Sequence, residues 1–584
     1  MASFNLLNEP WIRCVYIDGT VRLVSLRQLF KDASKIRSIA GDIPQQDMPL
    51  LRLALAILYC VYGDQFEDDP SEKELRQLWL DMWMAREFDL KMVEEYLNQY
   101  ESRFDLFDEE HPFFQTPNLT YISKDSDPVG ELIADFPKPE KMLFSMRSGE
   151  SAKSITYAEA ARWLVFLQSY DIAGIKSPVE GNTHFDSQNK VHAPKGMVQT
   201  GWLGNIGGTY LTGSSLFETL MLNWVLYVPG GSDKNAILLG RPDDFAPWER
   251  DERTTDLIVQ RDFRGVIDAL TLQDRRIRLV CDSDSRVFGC VICYGDCVVP
   301  YDQNEVEQMT AWRENPKLQK DLGRSTPPIT ALRHNSNTNL WRNLAPILSY
   351  ESKITDLRPG VIRWIDELQG KSDWRHSEHP LKSIALRSQG VTYGTQNSVY
   401  EAAIDDSLII STVMCRHDFD GISALLDVVD CASRAIEALA IFARNLQVSS
   451  GRRVTKKDQR PKKPVANMMN DIREAAYIRM DQLFRVRIAE FTAEEDPERY
   501  SSEWKDEVHR ILLQMGEEYL GQSSVSAFDT HEFESKRGMK AMNTGIAQLQ
   551  FKGALNTDLG RLRNIQNKCK INHDGKGDVD VITD

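Results

Sequence analysis

The chain has 584 residues, of which 42% are hydrophobic and 27% charged, as in globular proteins of two or three domains. No apolar run is long enough to span a membrane and the first residues lack a secretory pattern, so we expect a cytoplasmic protein without a membrane partner. The net charge of −16 argues against a free-standing nucleic-acid binder, yet a subunit could still contact nucleic acid through local basic patches.

The chain begins with a pattern of short strands. Residues 11–16 and 21–24 are strand candidates, and Asp18 and Gly19 between them are a strong hairpin signal. Ser25 directly follows the second candidate and can cap a short helix, because its hydroxyl can accept a hydrogen bond from a free backbone N–H. A hairpin followed by a short helix is therefore predicted.

Several helices follow, each marked by its first residues. The helix over residues 47–62 has proline in its first turn and is apolar on nearly all sides, so it should be buried. Ser71 and Glu74 form a capping box in front of an apolar stripe at helical spacing. Thr156 and Glu159 repeat the same pattern before another helix.

A polar segment over residues 137–153 is a first candidate contact with nucleic acid. Its basic residues Lys138, Lys141, Arg147 and Lys153 surround a single aromatic side chain, Phe144. Cations that neutralise phosphate and a ring on which a base can stack are what a flexible nucleic-acid contact needs. The alternative is a solvated loop whose Phe144 packs into the core.

A glycine-rich stretch over residues 191–223 is a second candidate. Its six glycines indicate backbone that turns sharply or approaches another group closely, since glycine otherwise costs conformational entropy. Ser215 and Glu218 form a capping box that opens an apolar helix. Bare N–H groups leading into a helix N-terminus would suit a polyanion, and the alternative is an irregular structural loop with bulges.

Further along the chain, strands and arginines occur together. Strand-like patterns cover residues 276–281 and 287–294. The arginines of this region are Arg275, Arg276 and Arg278, which form a local basic cluster, and Arg286, at the turn before the second strand. Such a cluster could add a phosphate contact to the two segments above.

Four of the nine cysteines lie close together in sequence: Cys281, Cys290, Cys293 and Cys297. Cys290 and Cys293 have metal-ligand spacing, but the second half of a zinc ribbon is missing, and in a strand these two positions face opposite sides. An odd total in so long a chain is no disulfide framework and indicates reduced thiols. Structural cysteines are the favoured interpretation, and we expect no metal or cofactor.

The C-terminal part predicts a bundle of four amphipathic helices joined by polar connections. The third helix is predicted to open at Ser501 and the fourth to run over residues 532–568. The fold class is therefore α+β. We expect a large, irregular mixed N-terminal domain over residues 1–415, an antiparallel four-helix bundle over 416–570 and a disordered tail over 571–584.

The connection between the first two of these helices, residues 449–464, is the clearest basic patch in the chain. Seven of its residues are Lys or Arg and only Asp458 is acidic. Four of the seven, Arg452, Arg453, Lys456 and Lys457, precede Asp458. Both a phosphate contact and a solvated loop fit this composition.

Catalytic motifs are scarce in this sequence. Arg416, His417 and Asp418 are similar to the His-Asp pair of metal-dependent phosphohydrolases, but nothing in the spacing brings His509 or His531 to them as further ligands. No P-loop, nucleophile elbow or zinc-protease motif occurs. An HD-type metal-dependent nuclease and a purely structural scaffold are kept as alternatives to a nucleic-acid-binding subunit.

A series of short motifs in fixed order resembles one family over nearly the whole chain. The motifs are FNLLNEPWI at residues 4–12 with the hairpin after it, PFFQ at 112–115, the glycine-rich stretch leading into LFETLMLN at 216–223, PWER at 247–250 and YGTQ at 393–396. Together with the four-helix region, they resemble the CasA family, the large subunits of the type I-E CRISPR surveillance complex Cascade.

The resemblance implies a role in antiviral defence without enzymatic activity. Members of the family lie near the 5′ end of the guide RNA and read the protospacer-adjacent motif (PAM) of double-stranded target DNA in the minor groove. They also help to open the duplex into an R-loop and recruit a separate helicase-nuclease. The implied partners are thus the guide RNA, the target DNA, the helicase-nuclease, and the backbone, guide-end and small subunits of Cascade.

The resemblance also assigns residues to these tasks. The guide-RNA loop falls on Phe144, Arg147 and Lys153, the PAM-reading glycine loop on Lys195, Gly196 and Met197, and the basic finger on Arg286. The strand-separating amide wedge falls on residues 366–369, where only Gln369 has an amide because Asp366 and Glu367 are acidic. Glycine permits the close backbone approach that minor-groove reading needs, and the degenerate minor-groove code fits a tolerant PAM.

Overall fold

Helices and strands are both present in the computed structural model of this chain, which confirms the predicted α+β fold class. The structure describes residues 3–560 except 64, 67–69, 135–150, 152, 229–235, 252–253, 283–284, 351–355, 372–373, 375–376, 452–462 and 536–537. The chain divides into two units, Met1–His417 and Asp418–Asp584. This division lies close to the boundary expected after residue 415.

The first unit mixes short helices with short strands. Its helices are α1 (Leu26–Lys31), α2 (Asp47–Gly63), α3 (Glu72–Ala85), α4 (Leu90–Gln99), α5 (Tyr157–Tyr170), α6 (Trp202–Asn205), α7 (Leu216–Asn223), α8 (Val266–Leu270), α9 (Pro316–Leu322), α10 (Ala345–Leu348) and α11 (Gly360–Lys371). Its strands are β1 (Ile12–Tyr16), β2 (Val21–Val24), β3 (Ile36–Ile39), β4 (Asp127–Pro128), β5 (Ile155–Thr156), β6 (Gly208–Thr212), β7 (Tyr227–Val228), β8 (Ala236–Ile237), β9 (Ile258–Arg261), β10 (Arg275–Cys281), β11 (Arg286–Tyr294), β12 (Asp296–Val298), β13 (Trp312–Glu314), β14 (Ile329–Ala331), β15 (Ser383–Tyr393) and β16 (Tyr400–Ser411).

The local signals near the N-terminus act as predicted. β1 and β2 pair antiparallel around Gly19, whose φ of +83° suits a tight turn. The Ser25 side chain accepts a hydrogen bond from the backbone N–H of Gln28 and starts α1. Ser71 and Glu74 cap each other at the start of α3, and α2 is buried along nearly its whole length.

Two sheets position the segments of interest. In one, the strand order is β10-β11-β4, with β5 also paired to β11; in the other it is β16-β15-β6. β15 and β16 form a long antiparallel hairpin, and β6 joins it through pairs such as Arg387 with Tyr210. Because β6 belongs to the glycine-rich stretch, that stretch is fixed to a sheet formed by residues far away in sequence.

A buried ion pair ties α2 to the chain beside the glycine-rich stretch. Both guanidinium NH2 groups of Arg52 donate to the Glu307 carboxylate, each at 2.9 Å, and Arg52 also donates to the carbonyl oxygen of Ala269 at 2.6 Å. Glu307 further accepts from Trp202 Nε1 at 2.7 Å and from Met309 N at 3.0 Å. One carboxylate therefore holds three separate segments together.

The second unit contains the predicted bundle: α12 (Gly421–Ser449), α13 (Lys463–Glu490), α14 (Pro497–Gly521) and α15 (Thr544–Asp558). α12 packs against each of the other three. Arg479 pairs with Glu518, while Arg487, later in α13, pairs with Glu507, earlier in α14, so these two helices run antiparallel. Across the described ranges of the chain, no helix combines the length and apolar character that crossing a bilayer requires.

The prediction of a fourth helix over residues 532–568 is wrong in its first part. β17 (His531–Ser535) and β18 (Gly538–Met542) form an antiparallel hairpin there. α15 begins only at Thr544, where the Asn543 side chain accepts a hydrogen bond from a backbone N–H of the first turn. Met539 lies on this hairpin and is 63% exposed.

Candidate nucleic-acid interface

Five of the six glycines in the glycine-rich stretch serve internal packing. A Cβ placed on any of the five would lie less than 3 Å from a neighbouring atom; they are Gly201, Gly204, Gly207, Gly208 and Gly213. Gly196 is different, because a Cβ there would meet nothing within 4 Å. The stretch is thus structural over most of its length and outward-facing at one point.

That point is a tight turn over Pro194, Lys195, Gly196 and Met197. The backbone N–H of Met197 donates to the Pro194 carbonyl oxygen at 3.2 Å, and Gly196 has φ of +86°, as at the third position of a type II turn. Lys195 and Gly196 are both exposed. The turn presents bare backbone with one cation beside it.

The base of this turn is anchored. Met197 and Ala193 pack against a cluster of buried side chains that includes Leu119, Tyr121, Val179, Val191 and Cys293. Val198 N donates to the carbonyl oxygen of Val298 at 3.1 Å, which ties the turn to β12. An exposed tip on a packed base is held in one place, as a contact that reads shape requires.

The N-terminus of α7 does not offer a polyanion site, contrary to one of the two sequence-based hypotheses. Glu218 is 2% exposed and accepts hydrogen bonds from Ser214 N at 2.6 Å and Ser214 Oγ at 2.7 Å. Burial alone would raise the pKa of the Glu218 carboxyl, but hydrogen bonds from Arg86 and Ser214 hold that pKa below its usual range. The Glu218 carboxylate already occupies the N-terminus of this helix. This part of the stretch is therefore an irregular structural loop, as the alternative hypothesis proposed.

Arg286, the predicted basic finger, lies at the start of β11 and is half-buried. Its Nε donates to Ser154 Oγ and its Nη2 to the Ser154 carbonyl oxygen, both at 2.7 Å. The neighbouring Lys153 is exposed. In this structure Arg286 therefore fixes the chain directly after Lys153, and a contact with DNA would require it to release Ser154.

The arginine cluster that begins β10 is largely internal. Arg275 is 2% exposed and its Nε donates to Asp171, while Nη2 of Arg276 donates to Asp296 at 2.6 Å. Burial alone would raise the pKa of the Asp171 carboxyl, but Lys176 and Arg275 hold it below the usual range. These two arginines are compensated by the buried Asp171 and the half-buried Asp296 and do not form an open basic patch.

The predicted wedge residue Gln369 lies in the interior. It is 5% exposed on α11, and its Nε2 donates to the Thr412 carbonyl oxygen at 2.6 Å. Asp366 accepts from Arg358 Nη2 at 2.9 Å, and Glu367 accepts from the Tyr227 hydroxyl at 2.6 Å. The wedge assignment stays a prediction, and inserting Gln369 between DNA strands would require this buried, hydrogen-bonded helix face to become exposed.

Six predicted site residues lie outside the described residues: Phe144, Arg147, Arg452, Arg453, Lys456 and Lys457. Their flanks are described. The first pair precedes the exposed Lys153 and the anchored Ser154. The other four lie between the end of α12 at Ser449 and the start of α13 at Lys463, where the sequence placed the basic connection.

Of the clustered cysteines, Cys293 and Cys297 share one buried hydrophobic cluster, and each sulfur has its own polar neighbour. Cys293 lies in the hydrophobic cluster below the glycine turn, and Asn182 Nδ2 lies 3.7 Å from its sulfur. Cys290 Sγ is 3.9 Å from the Pro128 carbonyl oxygen, and Cys297 Sγ is 3.8 Å from that of Gly295. Burial raises the pKa of the Cys293 thiol to about 11 and that of Cys297 to about 12, which keeps both protonated.

The His-Asp pair of the nuclease hypothesis has other partners. His417 Nδ1 lies 3.0 Å from both carboxylate oxygens of Asp366. His509 bonds to Asn556, and His531 bonds to the carbonyl oxygen of Asp529. Within the part of the chain that the structure describes, no three His, Cys, Asp or Glu side chains are grouped to hold a metal ion.

Sequence reasoning missed a cavity in the first unit that is lined by Arg250, Arg261, Arg264 and Arg276. Arg250 and Arg261 are each followed by an aspartate, so their local net charge is near zero and no basic run appears. The one local signal was the motif PWER, which places Arg250 beside a buried tryptophan.

Comparison with known proteins identifies the family. A model of the family described as CRISPR-associated protein Cse1 matches residues 5–515. A CasA/Cse1 protein of Thermus thermophilus is 26% identical over 363 residues, which are 60% of this chain and 61% of that relative, so the match spans less than two thirds of it.

Solved structures agree with this match. The crystal structure of Thermobifida fusca Cse1 has a TM-score of 0.80 and 28% identity, over 96% of this chain and 98% of that chain. A chain of a structure described as a CRISPR RNA-guided surveillance complex shares the fold, with a TM-score of 0.61 and 16% identity over 89% of this chain and 99% of that chain. Because the family model covers most of its length, this chain belongs to the CRISPR-associated protein Cse1 family.

Proposed function

We propose that this chain is the large, non-catalytic subunit of a CRISPR RNA-guided surveillance complex. In that role it recognises the PAM of foreign double-stranded DNA, promotes duplex opening and R-loop formation, and recruits a helicase-nuclease. Its partners are the guide RNA at its 5′ end, the target DNA, and the backbone, guide-end and small subunits of the complex. Membership of the Cse1 family supports this role.

The observation that carries the proposal is the turn at Gly196. It is the one glycine of its stretch that faces open space, next to the exposed Lys195 and above an anchored Met197. Backbone that protrudes without a side chain can approach base edges in the minor groove, and Lys195 can neutralise a flanking phosphate. Sequence recognition of the target is left to guide pairing, so no large base-reading surface is needed.

Co-expression with guide RNA and the other complex subunits tests the proposal. The chain should co-purify with the assembled complex, and the complex containing it should prefer a duplex with a PAM over a scrambled duplex at the same salt. A chain that purifies alone, or a complex that binds both duplexes equally with and without it, would contradict the role. DNA cleavage by the purified chain with added divalent metal would contradict the non-catalytic part.

The basic connection between α12 and α13 gives one quantitative prediction. Neutralising Arg452, Arg453, Lys456 and Lys457 together should flatten the dependence of log K on log[salt] for duplex binding by the assembled complex. For each phosphate that is no longer neutralised, the slope should fall by about 0.9. Binding of one duplex at several salt concentrations measures it, and an unchanged slope removes this connection from the DNA interface.

Phe144→Ala should weaken docking of the chain onto the guide-bearing complex while leaving its fold intact. A single ring stacked on a nucleotide base contributes about 1–3 kcal/mol, so the dissociation constant should rise by about 5-fold or more. Titration of the variant into complex that lacks this subunit measures docking, and thermal unfolding of the free chain is the control. A large fall in unfolding temperature with normal docking would make Phe144 a core residue.

A further inference from the structure

The cavity lined by arginines has a volume of about 550 Å³ and shares no lining residue with the Gly196 turn. Its walls come from the segment around the PWER motif, from β9 and α8, and from the starts of β10 and β12. A volume of this size is in the range of sites for small organic molecules.

One wall of the cavity is a row of guanidinium and carboxylate groups joined by hydrogen bonds. Asp268 accepts from Arg250 Nη2 and from Arg261 Nη2, each at 3.1 Å. Asp296 accepts from Arg261 Nε at 2.9 Å and from Arg276 Nη2 at 2.6 Å. Three guanidinium groups thus share two carboxylates, which leaves an excess of one positive charge in a rigid, hydrogen-bonded wall.

Two further carboxylates line the cavity, so its four arginines and four carboxylates balance in formal charge, but these two make their hydrogen bonds elsewhere. Glu249 accepts from the Tyr96 hydroxyl and from Ala246 N, both at 2.7 Å. Asp251 forms an ion pair with Arg103. None of these three donors lines the cavity, so the hydrogen bonds of both carboxylates are made outside it.

Two residues that line the cavity each have a buried donor without a partner, and a third has an exposed guanidinium. Among the described residues, the buried atoms Arg250 Nε and Gln273 Nε2 have no hydrogen-bond partner. Arg264 is exposed, and its guanidinium makes no ion pair with another described residue. A buried donor without an acceptor costs about 1–3 kcal/mol, so a ligand that brings acceptor atoms gains that energy back.

The rim of the cavity is apolar. Phe245 is 46% exposed and Ile258 is 38% exposed, and both line the cavity. An exposed ring beside unused cations is the combination that holds a nucleotide, because the ring stacks on a base and the cations meet the phosphate.

We propose that this cavity binds one nucleotide of a nucleic-acid single strand. The phosphate lies on Arg264 and Arg250, the base stacks on Phe245, and the Gln273 amide donates to a carbonyl oxygen of the base. The nucleotide could come from RNA, from a displaced DNA strand or from a free mononucleotide, since the recognised chemistry is shared. The inference goes beyond the proposed function, because PAM reading at Gly196 involves a duplex and none of these residues.

The test measures binding of the full-length chain to short oligouridine and oligothymidine strands at low, fixed salt. Phe245→Ala and Arg264→Gln should each weaken binding by about 5-fold or more, and Arg264→Gln should also lower the salt slope by about 0.7. Matched controls are Phe528→Ala, at a ring that is 63% exposed elsewhere, and Arg313→Gln, at another exposed arginine. Both controls should bind as the unchanged chain does.

Each outcome decides the matter. Weaker binding confined to the cavity variants supports the site, and an effect on only one strand type identifies RNA or DNA as its source. Equal affinity of cavity variants and controls on both strands overturns it. Competition is a second criterion. Uridine monophosphate should displace the strand at a lower concentration than inorganic phosphate does. Displacement at equal concentrations would show that the cavity binds anions without recognising a base, which overturns the proposal. Preference of the assembled complex for PAM duplexes should survive in Arg264→Gln, so this inference and the proposed function can fail separately.

Discussion

Replacing Arg52 with Met should destabilise the first unit by about 3–5 kcal/mol, because the substitution leaves a buried carboxylate without its counter-charge. Arg52 and Glu307 have side chains that are 3% and 1% exposed, and they join through two hydrogen bonds of 2.9 Å. Glu307 cannot turn to water, since Trp202 and Met309 hold it as well. The destabilisation should therefore reach the glycine-rich stretch through Trp202.

Denaturant unfolding followed by tryptophan fluorescence measures this effect. Arg22→Met is the matched control, since Arg22 and Asp18 form an ion pair with side chains that are 52% and 56% exposed; its cost should stay below about 1 kcal/mol. Adding Glu307→Gln to Arg52→Met should recover much of the stability, because the buried charge is then gone. Equal costs for the two arginine variants would show that water reaches the Arg52 pair.

The parts of the fold that were predictable are those decided within a few residues. Ser71 and Glu74 form the full predicted capping box, whereas at α7 only half of it forms: Ser215 accepts from the backbone N–H of Glu218, but the Glu218 side chain accepts from Ser214. The start of α14 at Pro497 follows the same capping rule, but the sequence pattern did not predict it. α14 begins there because the Asp496 side chain accepts from the first turn, whereas the sequence pattern predicted a start at Ser501.

The parts that were not predictable depend on partners far away in the chain. No sequence pattern in β15 or β16 predicts that β6 is the third strand of their sheet, yet Tyr210 of β6 pairs with Arg387 of β15. The cluster beginning at Arg275 resembled an open basic patch because its partner, Asp171, is distant in sequence. The burial of Gln369 was unpredictable for the same reason, since tertiary packing decides which face of α11 is buried.

The same distinction applies within the glycine-rich stretch. Its composition indicated close approach or sharp turning but could not separate the two. Gly208 approaches Met48 and Gln389, which are distant in sequence, whereas Gly196 turns the chain outward and touches nothing. Only the structure shows which glycine is free to meet an external partner.

Gly196→Asp should weaken binding of the assembled complex to a PAM-bearing duplex by about 10-fold or more, within the 1–3 kcal/mol that a good base contact contributes. A side chain at this position would hold the backbone away from the base edges, and a carboxylate would add repulsion from the flanking phosphates. Gly196→Ala should cost less. For a scrambled duplex both effects should be small, because phosphate contacts elsewhere survive.

Backbone strain predicts that Gly196→Ala destabilises the chain more than Gly196→Asp does. This order is opposite to the one expected for PAM binding, so the experiment distinguishes the two explanations. At φ of +86° aspartate is tolerated better than alanine, because its short polar side chain can hydrogen-bond locally. If Gly196 served the fold alone, Gly196→Ala would be the worse variant and would lower the unfolding temperature of the chain. If the turn reads DNA, Gly196→Asp is the worse variant in PAM binding while it remains the more stable of the two.

Gly19 supplies the control for this comparison, since its φ is +83° and a Cβ there would also meet nothing within 4 Å. Gly19→Asp and Gly19→Ala should shift stability in the same order as the variants at 196 and leave PAM preference unchanged. Lys195→Gln completes the series: leaving one phosphate without its cation should weaken both duplexes alike and reduce the salt slope by about 0.9. If Gly196→Asp weakened binding to PAM and scrambled duplexes equally, the PAM reader would lie away from this turn, because the removal of a sequence-specific base contact cannot weaken all sequences to the same extent.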